Sequence, residues 1–230
     1  MNILKNSIAA LILLVTTNVF AQTSEVEFDT YSESRKNASK YLLADDVALR
    51  DCPSTYCEKL TTIRIGTNVR LLEKSEKPQE INGITSRWYK VKMGPQTGWI
   101  WGGLISQKTL VSQANAEVRF VFGEASADDD SDKKYQIRAV KNGVELDRMI
   151  ITAETVRYTN VENIGNEGLE NVDDIIMLSS TMEDSCEVQS ESLYIVWKDN
   201  KLQKANNLIA SAETLSSEEC CYLFYSEIKE

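Results

Sequence analysis

The segment Arg87–Ser106, RWYKVKMGPQTGWIWGGLIS, constrains the fold more than any other part of this 230-residue chain. It places three tryptophans and four glycines within twenty residues. The pattern predicts two short strands, RWYKVKM and TGWIW, around a Gly-Pro turn. Val91 and Ile100 alternate with the aromatic residues, as a half-buried sheet requires. The segment therefore predicts the end of a small β-domain.

A spaced series of residues extends this pattern upstream, where VALRDCPSTYCEKLTTIRIGTNVRLLEK predicts three more short strands. The series runs, in chain order, Val47, Leu49, Arg50, Pro53, Ser54, Leu60, Ile63, Gly66, Val69, Leu71, Trp88, Lys90, Val91, Gly98, Trp99, Ile100 and Leu104. On these residues the segment from about Tyr41 to Ser106 resembles the bacterial SH3 (SH3b) family. The resemblance implies a small β-barrel with a binding role at or near the cell envelope, toward peptidoglycan peptide or another extended ligand.

The first residues have the features of a secretory signal. Lys5 gives a positive start, Ile8 to Val15 form a short apolar stretch, and Val19-Phe20-Ala21 fits the small-residue rule for cleavage. We expect cleavage after Ala21 and an exported protein that does not span the membrane afterwards. The apolar stretch is not followed by a cysteine that could carry a lipid, and no wall-anchoring tail is recognisable, so we expect a periplasmic or secreted location.

Charge divides the remaining chain into two different halves. Lys40 to Lys92 contains ten basic and seven acidic residues, whereas residues 113–230 contain eleven basic and twenty-four acidic residues. The acidic half argues against nucleic acid and anionic membrane as partners. The sequence predicts an all-β protein with a signal peptide at 1–21, a polar tail at 22–40, an SH3b-like barrel at 41–107 and an acidic β-rich domain at 113–230.

Short strands with polar connections make up the prediction for this second domain. Glu117 to Gly123, a hairpin on Asn142-Gly143, Asp174 to Leu178, the segment ESLYIVW and Cys220 to Tyr225 are strand candidates, and QKTLVSQANAE is interpreted as a connection. The runs NVDDIIML and LYIVW resemble the C-terminal parts of exported SH3b proteins of unknown activity. This likeness gives no information about an activity.

Five cysteines in an exported chain favour disulfides over metal or thiol chemistry. Cys52 and Cys57 flank Pro53 to Tyr56, in the loop that folds back on itself in the SH3b family, and we expect them to be bonded. Cys186 then pairs with Cys220 or with Cys221, because neighbouring residues of a strand point to opposite faces.

Histidine is absent from the whole chain, which removes the usual general base of hydrolases and the commonest zinc ligand. Asp128, Asp130 and Asp132 have the spacing of the first EF-hand ligands, but the required glycine and glutamate do not follow, so a solvated charge run is the preferred interpretation over a loose calcium site. Asp173 and Asp174 are adjacent carboxylates, which keeps a carboxylate-based hydrolase as the least favoured alternative. We expect no catalytic residues, no metal and no cofactor.

The aromatic residues are the remaining candidates for a site. Alternation puts Trp88, Lys90 and Lys92 on one face of their strand, and it puts Trp99 and Trp101 opposite Ile100. These tryptophans and Tyr56 predict an apolar groove for a cell-wall peptide or an extended protein segment. The alternative is a periplasmic interaction or inhibitor protein that binds a basic envelope protein through its acidic half. Trp88 and Trp99 also stand at positions where they could cap the barrel.

Overall fold

The computed structural model describes residues 36–126, 133–153, 160–184 and 187–205, and all regular structure in these ranges is β except for one 3-10 turn at Gly102–Leu104. The strands of the first half are β1 Ser39–Tyr41, β2 Val47–Arg50, β3 Lys59–Ile63, β4 Asn68–Lys74, β5 Gln79–Ile81, β6 Ile84–Ser86, β7 Trp88–Met93 and β8 Gln96–Trp101. Those of the second half are β9 Lys108–Val111, β10 Val118–Ala125, β11 Lys133–Lys141, β12 Val144–Ala153, β13 Asn160–Gly165, β14 Asp174–Asp184, β15 Glu187–Lys198 and β16 Lys201–Lys204. The all-β prediction is confirmed.

The first half is a strongly curved antiparallel sheet in the order β1-β4-β7-β8-β2-β3. Its core contains residues from across the whole sheet. Leu42 follows the edge strand β1, and Ile63 lies on the opposite edge strand β3. Val91 and Ile100 lie on the central strands β7 and β8, and both are fully buried. The alternation of β7 and β8 therefore predicted the inward residues correctly. A bridge between Leu42 and Ile105 joins the two ends of this unit.

A hairpin, β5–β6, lies outside this sheet and was not predicted. Asn82 and Gly83 form its two-residue turn with φ values of 53° and 75°. An Asn-Gly pair flanked by Ile81 and Ile84 is a strong signal for such a turn, because both central residues need a positive φ. The same geometry occurs at Asn142-Gly143, where the predicted hairpin between β11 and β12 is confirmed.

The second half consists of two four-stranded antiparallel sheets, β12-β11-β10-β9 and β13-β14-β15-β16, with one core between them. Phe120 and Phe122 of β10 meet this core from one sheet, and Trp197 meets it from the other, with the Phe120 and Trp197 rings edge to face at 5.5 Å. At one pair of sheet edges, Asp147 of β12 accepts hydrogen bonds from the backbone of Leu202 and from Lys201 of β16.

Two strands cross the boundaries that the sequence predicted. β1 begins at Ser39, inside the predicted tail, and β9 occupies part of the segment interpreted as a connection. β9 forms because Leu110 pairs with Phe120 of β10 and packs on the second core. A four-residue strand with one strongly apolar inward residue gives too little periodicity to be recognised. The strand candidate Cys220 to Tyr225 lies outside the described residues.

The two halves pack together through a small core of their own. Leu43 and Ile65 from the first half contact Val121 and Val140 from the second, and Tyr41 packs against them. A Cβ at Gly66 would lie 2.7 Å from Cγ1 of Val140, so the approach requires glycine there. Within the described ranges, the protein has no helix with the length and hydropathy needed to cross a bilayer.

Candidate functional site

Trp88 and Trp101 form a directly opposed pair on β7 and β8, and both are buried under the β5–β6 hairpin. Their exposed fractions are 4% and 5%. The Trp88 indole donates to Oε1 of Gln79 at 2.6 Å, and the Trp101 indole donates to the carbonyls of Gln79 and Ser86 at 3.1 and 3.2 Å. The two tryptophans thus anchor the hairpin, and their polar atoms already have partners.

Gly102 and Gly103 make this burial sterically feasible. A Cβ at Gly103 would collide with the six-membered ring of Trp101, and one at Gly102 would collide with Oγ of Ser86 and the ring of Tyr89. Neither glycine has a positive φ, so the requirement at these positions is for space rather than for an unusual backbone conformation.

The next row of residues on the outer face of the sheet lies beyond the hairpin and reaches solvent. The cross-strand pairs Glu73 with Lys90, Lys90 with Trp99 and Trp99 with Arg50 place these side chains in one row, and the row continues to Lys59. Directly opposed residues share a face. Lys90 lies 5.9 Å from the centre of the Trp99 ring and 3.5 Å from the carboxylate of Glu73. Trp99 is partly exposed in this row.

The loop after β2 is closed by a disulfide between Cys52 and Cys57, as expected for that pair. Arg50 holds the C-terminal end of this loop, because its Nη1 donates to the Cys57 carbonyl at 2.6 Å. The backbone N–H of Asp51 donates to the Glu58 carbonyl. Tyr56 lies within this constrained loop and is 98% exposed. A large aromatic side chain is therefore held in solvent on a short, covalently closed loop.

Arg50 connects the loop to the row, since the same residue pairs with Trp99 and holds the loop at Cys57. We use the name Trp99 face for this surface, which comprises Arg50, Tyr56, Lys59, Glu73, Lys90 and Trp99. It combines two aromatic side chains with three cations and one carboxylate. Rings supply contact area at low cost in conformational entropy, and the cations favour a ligand that carries carboxylates.

The four aromatic residues predicted to line one groove are therefore separated by the structure. Trp88 and Trp101 do not line an open surface, because the β5–β6 hairpin covers them. Trp99 and Tyr56 keep exposed surface, and ligand contact by these two stays a prediction. The alternation argument was correct about the face but could not show that part of it is covered.

Sequence reasoning gave Arg50 no role in a site, and it placed Leu60 in an apolar strand of the SH3b series. Leu60 does lie on β3, but its side chain is 51% exposed where the β2–β3 register shifts between Leu49 and Arg50. Inward residues of a strand are separated by two, and Leu60 and Ile63 are separated by three, so this spacing was the available signal.

Metal binding at the loop requires a different redox state of the cysteines. The Asp51 carboxylate lies within 4.8 Å of the sulfurs of Cys52 and Cys57. Those sulfurs are bonded to each other, and only a free thiolate is an effective ligand. Cys186, Cys220 and Cys221 lie outside the described residues, and so do Asp128, Asp130 and Asp132.

Asp173 and Asp174 do not share a surface on which they could act together. Asp173 is exposed, whereas Asp174 is fully buried and accepts hydrogen bonds from the Ser112 hydroxyl, the Gln113 backbone and the Asn163 amide. Asp174 thereby joins the end of β9 to β13 and β14. Its geometry is that of a structural clamp between the two sheets.

The first half is a small curved antiparallel sheet with an aromatic outer face and a disulfide-closed loop after β2. These features are those of an SH3-like binding module. Comparison with family models finds a match to the bacterial SH3 domain at residues 45–106. The chain therefore contains a bacterial SH3 domain, as its sequence suggested, and such domains bind cell-wall or peptide ligands. Comparisons with curated proteins and with solved structures give no match for the chain.

Proposed function

We propose that this protein is a non-catalytic exported binding protein, and that its SH3 domain binds a cell-envelope ligand, such as a peptidoglycan peptide or another extended peptide, at the Trp99 face. The observation that carries the proposal is the 98% exposure of Tyr56 on a disulfide-closed loop whose Cys57 carbonyl is bound by Arg50, the cross-strand partner of Trp99. An exposed aromatic residue on a flexible loop would lose much conformational entropy on binding. Constraint before binding reduces that loss.

Charge supports a ligand that carries carboxylates. Arg50, Lys59 and Lys90 lie in the same row as Trp99, and Glu73 stands at its end beside Lys90. Peptides with free carboxylates would meet the cations while an apolar or ring portion contacts Trp99 and Tyr56. A surface of this kind attracts an acidic peptide and repels a basic one.

The location of the protein is part of the same proposal. The signal-like N-terminus supports export and cleavage after Ala21, which would place the mature protein in the periplasm or outside the cell. A disulfide between Cys52 and Cys57 fits an oxidising compartment. The ligand would then be a component of the envelope.

The test is co-sedimentation of the purified protein with peptidoglycan sacculi. We expect Tyr56→Ala and Trp99→Ala each to weaken retention roughly five- to thirty-fold, the loss of about 1–2 kcal/mol typical of an aromatic interface contact. Ile150→Ala is the matched control, because Ile150 is 51% exposed in the second half. Equal retention of all four proteins, or no retention of the wild type, contradicts the proposal.

The acidic second half supports an alternative, in which the protein binds a basic envelope protein. Residues 160–184 contain no lysine or arginine, and Glu162, Glu167, Glu170 and Asp173 are exposed along β13 and the turns before β14. Such a surface attracts cations at low ionic strength. Capture of a basic envelope protein at low salt, with release at high salt and loss in the variant E167K/E170K, would favour this alternative.

A further inference from the structure

A cavity lies where the two halves meet, and none of its lining residues belongs to the Trp99 face. It has a volume of about 250 Å³, and we call it the junction cleft. The residues that matter for its chemistry are Lys40, Tyr41, Gln107, Lys108, Thr109 and Arg119. They come from β1 in the first half and, in the second half, from β9, the residue before it and β10, so the cleft exists only where the two halves pack together.

The cleft concentrates positive charge in an acidic protein. Three of its lining residues are Lys or Arg and none of its lining residues is Asp or Glu, although the chain as a whole carries a net charge of −10. A concave surface of one sign raises the local concentration of ions of the opposite sign. The cleft is therefore complementary to an anion.

Arg119 is oriented by stacking rather than by an ion pair. Its guanidinium carbon lies 4.2 Å from the centre of the Tyr41 ring. Three consecutive residues of β10 have different surroundings. Arg119 lines the cleft, Phe120 packs in the core of the second half, and Val121 packs against the SH3 domain. In the described part of the chain, neither Arg119 nor Lys108 forms a salt bridge. A stacked guanidinium keeps its edge N–H groups directed outward for a planar acceptor.

Gln107 gives an independent indication of a ligand. Its side chain lines the cleft and is 7% exposed, and its Oε1 is buried without a hydrogen-bond donor in the described structure. A buried amide oxygen without a donor is destabilising, so a small rotation of this amide toward a donor brought by a ligand would be favourable here. The end of a peptide supplies both a carboxylate for the cations and an amide N–H.

We propose that the junction cleft binds the C-terminal carboxylate of a short peptide, with Arg119 and Lys108 contacting the carboxylate and Gln107 accepting from a peptide N–H. About eight water molecules would fill the volume of the cleft, which suits the end of a peptide rather than a folded partner. This site is separate from the one proposed for the SH3 domain, and it places carboxylate recognition at the contact between the two halves.

The probe is N-acetyl-alanyl-alanine, compared with the same dipeptide as its C-terminal amide and with inorganic phosphate. Binding to the purified protein is measured by isothermal titration calorimetry. We expect saturable binding of the acid and at least tenfold weaker binding of the amide, because the amide lacks the charge. Equal affinity for acid and amide, or phosphate binding as tight as that of the acid, overturns the proposal.

Variants identify the cleft as the site. Arg119→Gln and Lys108→Gln should each weaken binding of the acid about tenfold or more. Lys77→Gln is the matched control, because Lys77 is exposed and does not line the cleft. Since loss of the Arg119 stacking also affects folding, Lys108→Gln carries the test if Arg119→Gln is unstable. Unchanged affinity in Lys108→Gln overturns the proposal. Tyr56→Ala should bind the dipeptide normally, so failure of this proposal and failure of the proposed SH3 function are distinguishable.

Discussion

Replacement of Trp101 by alanine separates a structural role from a ligand-binding role at this tryptophan. Trp101 is 5% exposed, packs with Ile84 and Trp88, and covers Gly103. Truncation of a buried tryptophan costs about 3–5 kcal/mol. Its indole also donates to two carbonyls that hold the β5–β6 hairpin, and these would lose their donor. For a protein of this size, the loss corresponds to a decrease in Tm of roughly 6–20 °C.

Trp99→Ala is the comparison, because Trp99 lies one row away on the same strand and is partly exposed. Its loss should cost about 1 kcal/mol, or roughly 2–4 °C. Differential scanning calorimetry measures both variants beside the wild type. If Trp101→Ala melts no lower than Trp99→Ala, the hairpin does not hold Trp101 as described, and the assignment of the exposed site to Trp99 loses its basis.

Three further perturbations test other parts of the structure. Gly98→Ala should destabilise the SH3 domain by about 1–3 kcal/mol in urea unfolding, because the new Cβ would lie 2.7 Å from the Arg50 carbonyl oxygen; unchanged stability would contradict this packing. Removing the Cys52–Cys57 bond by the double serine variant should cost about 2 kcal/mol and weaken ligand retention, and a variant that keeps full stability and retention would contradict the role of the loop. Burial raises the pKa of Asp147, but hydrogen bonds from the β16 backbone and from Lys201 outweigh it and bring the pKa below its ordinary value of 3.8. Asp147 therefore stabilises the fold above about pH 4, and this stabilisation is lost as the pH falls through the lowered pKa, so the advantage of the wild type over Asp147→Asn in thermal unfolding should shrink between pH 5 and pH 2, roughly; a constant difference would contradict the assignment.

Local patterns explain why the strands of the SH3 domain were predictable. Alternation in β7 and β8 identified Val91 and Ile100 as inward residues, and both are fully buried. The burial of Trp101 depends instead on a hairpin that folds over the outer face from residues 79–86. Alternation along a strand tells which residues share a face, but it does not tell what covers that face.

Contacts between the two halves were the least predictable feature. Apolar residues occur on both faces of β10, with Phe120 and Phe122 on one and Val121 on the other, and this pattern is typical of a strand buried on both sides. It indicated a second packing surface but not its partner. The junction cleft depends on that packing, so its residues were not recognisable as a group from the sequence.

The central claim is that ligand contact occurs at Trp99 and Tyr56 and not at the buried tryptophans. Four indole N–H resonances belong to Trp88, Trp99, Trp101 and Trp197, and single replacements assign them in a ¹⁵N-labelled sample. Titration with soluble peptidoglycan peptide fragments should shift the Trp99 resonance most, with much smaller shifts for Trp88, Trp101 and Trp197. A titration that leaves Trp99 unchanged, or that shifts Trp197 in the second half most, would contradict the account.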